Sequence, residues 1–186
     1  MVDQEKIEKA FASIIDAIGE DPKREGLAYS PQRVARMYAE VFSGLDEDPT
    51  EALGTGFEEG HDELVMVKNV RFSSMCEHHF LPFTGTAAIA YIPNGRIVGV
   101  SKLVRALEIL AKRPQVQERL AAQLADAIDS SLKAQGVAVV LEAEHMCMSC
   151  RGVEKPGHQM VTSVSRGLLL TQDSKRQELF ALLGQR

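Results

Sequence analysis

The stretch Leu64-Val65-Met66-Val67-Lys68-Asn69-Val70-Arg71-Phe72-Ser73-Ser74-Met75-Cys76-Glu77-His78-His79-Phe80-Leu81-Pro82-Phe83-Thr84-Gly85-Thr86-Ala87-Ala88-Ile89-Ala90-Tyr91-Ile92 decides the fold. Apolar and polar residues roughly alternate from Leu64 to Phe72 and again from Phe83 to Ile92, the period-two signature of half-buried strands. Pro93-Asn94-Gly95 ends the second run as a turn. Cys76, His78 and His79 therefore fall in the loop between two strands, where a rigid frame holds reactive side chains.

Upstream, Ile7, Phe11, Ile14, Ile15 and Ile18 recur at helical spacing up to Gly19, which predicts an amphipathic helix. After a turn at Asp21-Pro22, Ser30-Pro31 reads as an N-cap with proline at the first helical position. It opens a second helix, striped by Val34, Met37, Tyr38, Val41 and Phe42 and ending at Gly44. Residues 45–61, rich in Gly, Asp and Glu, read as a connection. Downstream, Arg96 to Val100 predicts a short strand, and Ser101 caps a helix begun at Lys102 and broken by Pro114. A further helix carries Val116, Leu120, Leu124, Ile128 and Leu132 on one face up to Gly136. A strand from Val137 to Glu142 then delivers His145 and Cys147 at its far end. Arg151-Gly152 turns the chain, a last strand covers Val161 to Leu170, and Asp173 or Ser174 caps a terminal helix from Lys175 to Leu183. With no internal repeat or low-complexity linker, this predicts one α+β structural unit, with an N-terminal helical segment over 1–60 and the remainder over 61–186.

The 186 residues suffice for one full core, and 45% hydrophobic with 25% charged residues is an ordinary globular composition. No apolar run approaches the roughly 20 residues that cross a bilayer, so no membrane span is expected. The polar start Met-Val-Asp-Gln-Glu-Lys has neither a secretory apolar region nor an Arg-rich transit pattern, which predicts a cytoplasmic protein. A net charge of -5 argues against general nucleic-acid binding, while leaving room for a local cationic pocket that holds one phosphorylated metabolite.

Three cysteines in a reducing compartment are more often metal ligands or free thiols than bridges. Cys76-Glu77-His78-His79 and His145-Met146-Cys147 together read as a zinc site. Zinc takes thiolate sulfur and imidazole nitrogen, and a catalytic site keeps three protein ligands so that water holds the fourth position. Two cysteines and one histidine meet that count, and the surplus imidazoles can act as acid and base. Spacing alone leaves a redox pair or buried thiols open. It also leaves Ser101, Lys102 and Arg105 readable as a capped helix with a solvated cationic face, and Gln117 and Glu118 as surface polar residues.

Four ordered motifs carry a family resemblance: Ser74-Met75-Cys76-Glu77-His78-His79-Phe80-Leu81-Pro82, Gly99-Val100-Ser101-Lys102-Leu103-Val104-Arg105, Arg113-Pro114-Gln115-Val116-Gln117-Glu118-Arg119, and His145-Met146-Cys147-Met148 with Arg151-Gly152. They closely resemble GTP cyclohydrolase I, over about Arg24 to Leu170. The resemblance implies hydrolysis of GTP to formate and 7,8-dihydroneopterin triphosphate, the first committed step towards folate or tetrahydrobiopterin. It implies the tunnelling fold, an antiparallel four-stranded sheet with its helices on one side, in a toroidal homodecamer of two pentamers. It assigns zinc to Cys76, His79 and Cys147, and proton transfer to His78 and His145. Ser101, Lys102, Arg105 and Arg151 become triphosphate contacts, and Gln117 and Glu118 hold guanine.

Cys150 departs from the family pattern and is expected not to bind the metal, because a fourth ligand would close the water position. His158 and Gln159 receive no role, and His61 reads as a surface loop residue. The alternative enzyme class is a zinc nucleobase deaminase, since His61-Asp62-Glu63 with Cys147-x-x-Cys150 imitates its signature. Met146 stands where that signature has proline, and Cys76, His78 and His79 would go unexplained. A binding module with a saturated four-ligand site has no use for the extra imidazoles. A nitrile-reducing relative on the same fold would need a thiol that the metal already occupies.

Overall fold

The computed structural model describes residues 1–184, so the last two residues of the 61–186 unit lie outside it. Helices α1 (Gln4–Ala17) and α2 (Ser30–Val41) form the N-terminal pair. Asp3 caps α1 by accepting the Lys6 amide. In α2 the predicted cap shifts by one place: Tyr29 holds the cap position without a side-chain bond, and Ser30 is the first helical residue.

Residues 45–61 are more than a connection. A 3-10 turn (Ser43–Asp46) leads to α3 (Pro49–Leu53) and strand β1 (Phe57–Glu58). Asp48 accepts the Thr50 amide and Pro49 begins the helix, a start signal too short to show as periodicity.

Strands β2 (Val65–Cys76) and β3 (Pro82–Ile92) form the expected antiparallel hairpin, but β2 runs past Phe72 so that Cys76 is its last residue rather than part of the loop. Strand β4 (Arg96–Ile97) stays out of the main sheet and pairs with β1. Helix α4 (Val100–Ala111) has Gly99 as its cap, so Ser101 lies within the first turn and caps nothing through its side chain. Strand β5 (Pro114–Gln115), helix α5 (Gln117–Leu132), strand β6 (Gly136–His145), helix α6 (Met146–Ser149), strand β7 (Met160–Gly167), helix α7 (Leu168–Thr171) and helix α8 (Asp173–Gly184) complete the chain. The predicted last strand thus ends at Gly167, where Leu168 turns into α7.

The main sheet has the order β5-β2-β3-β6-β7. Four strands are antiparallel, as expected, and the two-residue β5 adds a parallel edge through Met75–Pro114 and Cys76–Gln115. One sheet face, with Phe83, Ile89, Tyr91, Val139 and Leu141, packs on α4 and α5. Leu120, Leu124 and Ile128 of α5 are fully buried there, each contributing roughly 1.5–3 kcal/mol of transfer free energy.

Helices are not confined to one side. Ala90, Ile92 and Ala138 point to the opposite face and are covered by Leu169 and Leu179 of α7 and α8. The result is a mixed α+β unit with an antiparallel sheet. No helix among the described residues is long and apolar enough to cross a membrane.

Candidate active site

Strand register brings distant residues to one end of the sheet. Cys76 ends β2, His145 ends β6, and Phe83 near the start of β3 is the register partner of His145. Side chains directly opposite on one face touch. Here the Phe83 and His145 rings stack with centroids 4.6 Å apart and planes 2° from parallel.

The turn from Cys76 to Leu81 is tied at both ends. The Phe80 amide donates to the Cys76 carbonyl at 2.8 Å, and the Cys76 amide donates to the Leu81 carbonyl at 2.9 Å. Phe80 adopts φ 53°, a left-handed conformation that a bulky residue keeps only under external support. Support comes from ring contacts with Tyr38 of α2 and with Phe42 just after its end, at centroid distances of 6.3 and 5.7 Å. The N-terminal pair thus braces the turn that carries the histidines.

Cys76, His79 and Cys147 converge, with ligand atoms all within 4.8 Å of one another. Cys76 is buried, Cys147 half-buried and His79 exposed, so the cluster has one open side. Burial pushes the Cys147 thiol up, and the adjoining Cys76 pushes it further. Two thiols crowded this way gain from a shared cation, which is the donor chemistry of zinc. Cys150 is exposed and donates its thiol to the Met146 carbonyl, outside this group. His61 is outside it as well, so the deaminase arrangement does not form among the described residues.

His78 lies beside the cluster, with its Nδ1 3.9 Å from the Cys76 sulfur. His145 is buried, and desolvation lowers its pKa, with nearby His158 acting the same way and Glu118 opposing. Its Nε2 lies 2.9 Å from Gln117 Oε1. His158, to which the sequence reading gave no role, accepts the His145 backbone amide at 3.3 Å and donates to the Lys155 carbonyl at 2.7 Å. No spacing rule points to that contact.

Ser101, Lys102 and Arg105 are exposed on the first turns of α4, Glu118 on the first turn of α5, and Arg151 just past α6. Lys102, Arg105, Glu118 and Arg151 join no ion pair among the described residues. Gln117 differs from them, being 1% exposed with its amide engaged inside the protein.

An α+β unit whose sheet end gathers a two-cysteine, one-histidine cluster that could hold a metal ion, with two further imidazoles close by in the chain, has the donor set of a metal-dependent enzyme. The sequence model described as GTP cyclohydrolase I matches residues 7–184. A GTP cyclohydrolase 1 of Dehalococcoides mccartyi is 54% identical, with 100% of both chains covered. One of Carboxydothermus hydrogenoformans is 57% identical over 99% of this chain and 96% of its own. The chain belongs to the GTP cyclohydrolase I family, and its activity is the hydrolase activity of that family. Among solved structures, the apo archaeosine synthase QueF-Like covers 56% of this chain and 93% of its own at TM-score 0.45 and 18% identity.

Proposed function

We propose that this chain hydrolyses GTP at purine C8, releasing formate and forming 7,8-dihydroneopterin triphosphate, with Cys76, His79 and Cys147 holding zinc. The observation that carries the reading is the convergence of those three ligands within 4.8 Å next to His78 and His145. When bound, zinc supplies Lewis-acid activation of water near neutral pH.

The chain's own groups supply the rest. Purine C8 is a poor electrophile until N7 gains a proton, and His78 and His145 are the imidazoles that would carry protons to and from the substrate. The same imidazoles serve the opening of the five-membered ring, hydrolysis of the resulting formamide and closure to the pterin. Glu118 offers a carboxylate to the N1-H and exocyclic amine of guanine. Lys102, Arg105 and Arg151 give charge-assisted bonds to the triphosphate, while Ser101 and the N-terminal end of the α4 dipole complete an anion site.

The unit is read as a tunnelling fold assembled into a toroidal homodecamer of two pentamers in the cytoplasm. Exposed Ile14, Ile18, Phe57 and Val161 supply apolar surface for subunit contacts. Native mass spectrometry tests the assembly. Incubating metal-replete protein with GTP while following formate and pterin absorbance tests the reaction. Ammonia in place of formate would return the deaminase reading.

A further inference from the structure

The side chain of Gln117 has one arrangement that satisfies every partner. Its Nε2 lies 3.1 Å from the Leu141 carbonyl and 2.9 Å from the Met160 carbonyl, and both of those groups only accept. The amide nitrogen must therefore face them, and both its hydrogens are spent. Oε1 is left pointing at His145 Nε2, 2.9 Å away, where it only accepts. The bond closes only if His145 Nε2 carries a hydrogen.

We propose that Gln117 is a positioning residue that holds His145 as the Nε2-H tautomer and leaves Nδ1 as the nitrogen that exchanges protons with substrate. Two restraints act on the ring together. The Phe83 stack fixes its plane, and the Gln117 bond fixes its rotation within that plane. Because both partners are buried, water does not compete for the bond, and a ring turned over would leave Oε1 facing a lone pair. The arrangement also removes Gln117 from contact with the base, since its amide has no hydrogen left to offer and the side chain is 1% exposed. Base recognition then falls to Glu118, one residue on and about 100° around the helix. The proposal rests on His145 moving protons in the GTP reaction.

The test uses full-length, metal-replete protein and the variants Gln117→Met, an apolar near-isostere, and Gln117→Glu, which keeps an acceptor for Nε2-H. In the parent, nitrogen NMR of ¹⁵N-histidine protein at pH 8, with His145 assigned by its loss in His145→Asn, should show a protonated Nε2 and a bare Nδ1. Gln117→Met should lose that tautomer bias and lower kcat for GTP by at least about tenfold, a part of the roughly 10²–10⁴-fold that acid-base assistance supplies. Its KM should stay near the parental value, and Gln117→Glu, which keeps the acceptor for Nε2-H but turns a second oxygen to the Leu141 and Met160 carbonyls, should hold the Nε2-H tautomer while melting below the parent. A bare Nε2 in the parent overturns the proposal without need of any variant. A Gln117→Met protein whose KM rises while kcat holds would return Gln117 to base binding and overturn it equally. Absence of formate from the parent would sink the functional reading instead, leaving the tautomer to be decided by NMR alone.

Discussion

Arg119 grips both carboxylate oxygens of Glu77, Nη1 to Oε2 at 2.5 Å and Nη2 to Oε1 at 3.0 Å. The fork ties the Cys76–His79 turn to the first turn of α5, where Gln117 and Glu118 also stand. The Glu77 amide adds a bond to the Gln115 carbonyl at 3.0 Å, so the Cys76–His79 turn is held to this connection by main chain and side chain alike. Neighbouring residues on that turn thus face different partners: Gln117 meets His145 and Arg119 meets Glu77.

Exposed ion pairs add little to global stability, so the fork should matter locally. We expect Glu77→Gln and Arg119→Lys to melt close to the parent yet release zinc to a chelator about tenfold faster, the low end of what groups supporting a metal site contribute. Lysine cannot reproduce the two-pronged contact. Release at the parental rate from both variants would show that the main-chain bonds suffice.

The ligand set predicts a graded outcome along the cysteines. Cys76→Ser and Cys147→Ser should lose both zinc and turnover, whereas Cys150→Ser should keep one zinc per subunit with substantial activity. His78→Ala should retain zinc while losing at least about 100-fold in kcat, the scale of acid-base assistance. Metal analysis beside formate release reads all four, and an apo His78→Ala protein would exchange the roles of His78 and His79.

The hairpin that frames the Cys76–His79 turn was legible because burial of one sheet face writes itself into sequence as alternation. Helices α4 and α5 were legible for the matching reason at period 3.6. Elements too short to complete a period were not: β5 spans two residues and α3 five, so their positions depend on neighbours. The candidate metal ligands stood out by chemical type, yet their supports did not. Glu77 and Arg119 are 42 residues apart, and no local rule pairs them. Gln117 reads as a surface position on α5, and it is buried only because the carbonyls of Leu141 in β6 and Met160 in β7 close over it. Tertiary placement, not propensity, decides such residues.

The loop after β6 has its own pH signature. Glu144 accepts the Ser149 hydroxyl at 2.6 Å and the Gly157 amide at 2.9 Å, and these bonds hold its carboxyl below the usual glutamate value of 4.5. A lowered folded-state pKa gives stability that is present above the ordinary value and is lost as pH falls through the lowered one. Metal-free Glu144→Gln should therefore melt below the parent at pH 7, with the gap closing as pH drops beneath about 4.5. Parallel melting curves down to acid pH would mean that the carboxylate charge is irrelevant to this loop.

Base choice provides the sharpest test of the substrate reading, because it turns on one exposed carboxylate. Glu118 has no ion-pair partner among the described residues and lies near enough to His145 to influence its ionisation. Guanine presents hydrogen donors at N1 and N2, whereas adenine presents a lone pair at N1 and no amine at C2. With ATP the charged acceptor would face a lone pair and lose its own partner. Sites built around a substrate donor reject analogues lacking it by factors on the order of 10⁴. We expect no detectable formate from ATP, and a fall of at least about 100-fold in kcat/KM for GTP on Glu118→Ala, equivalent to roughly 2.7 kcal/mol. Zinc content and subunit assembly should not change, because Glu118 lies outside the ligand cluster. Parental kcat/KM in Glu118→Ala, or a loss explained entirely by missing metal or broken assembly, would remove Glu118 from the guanine site.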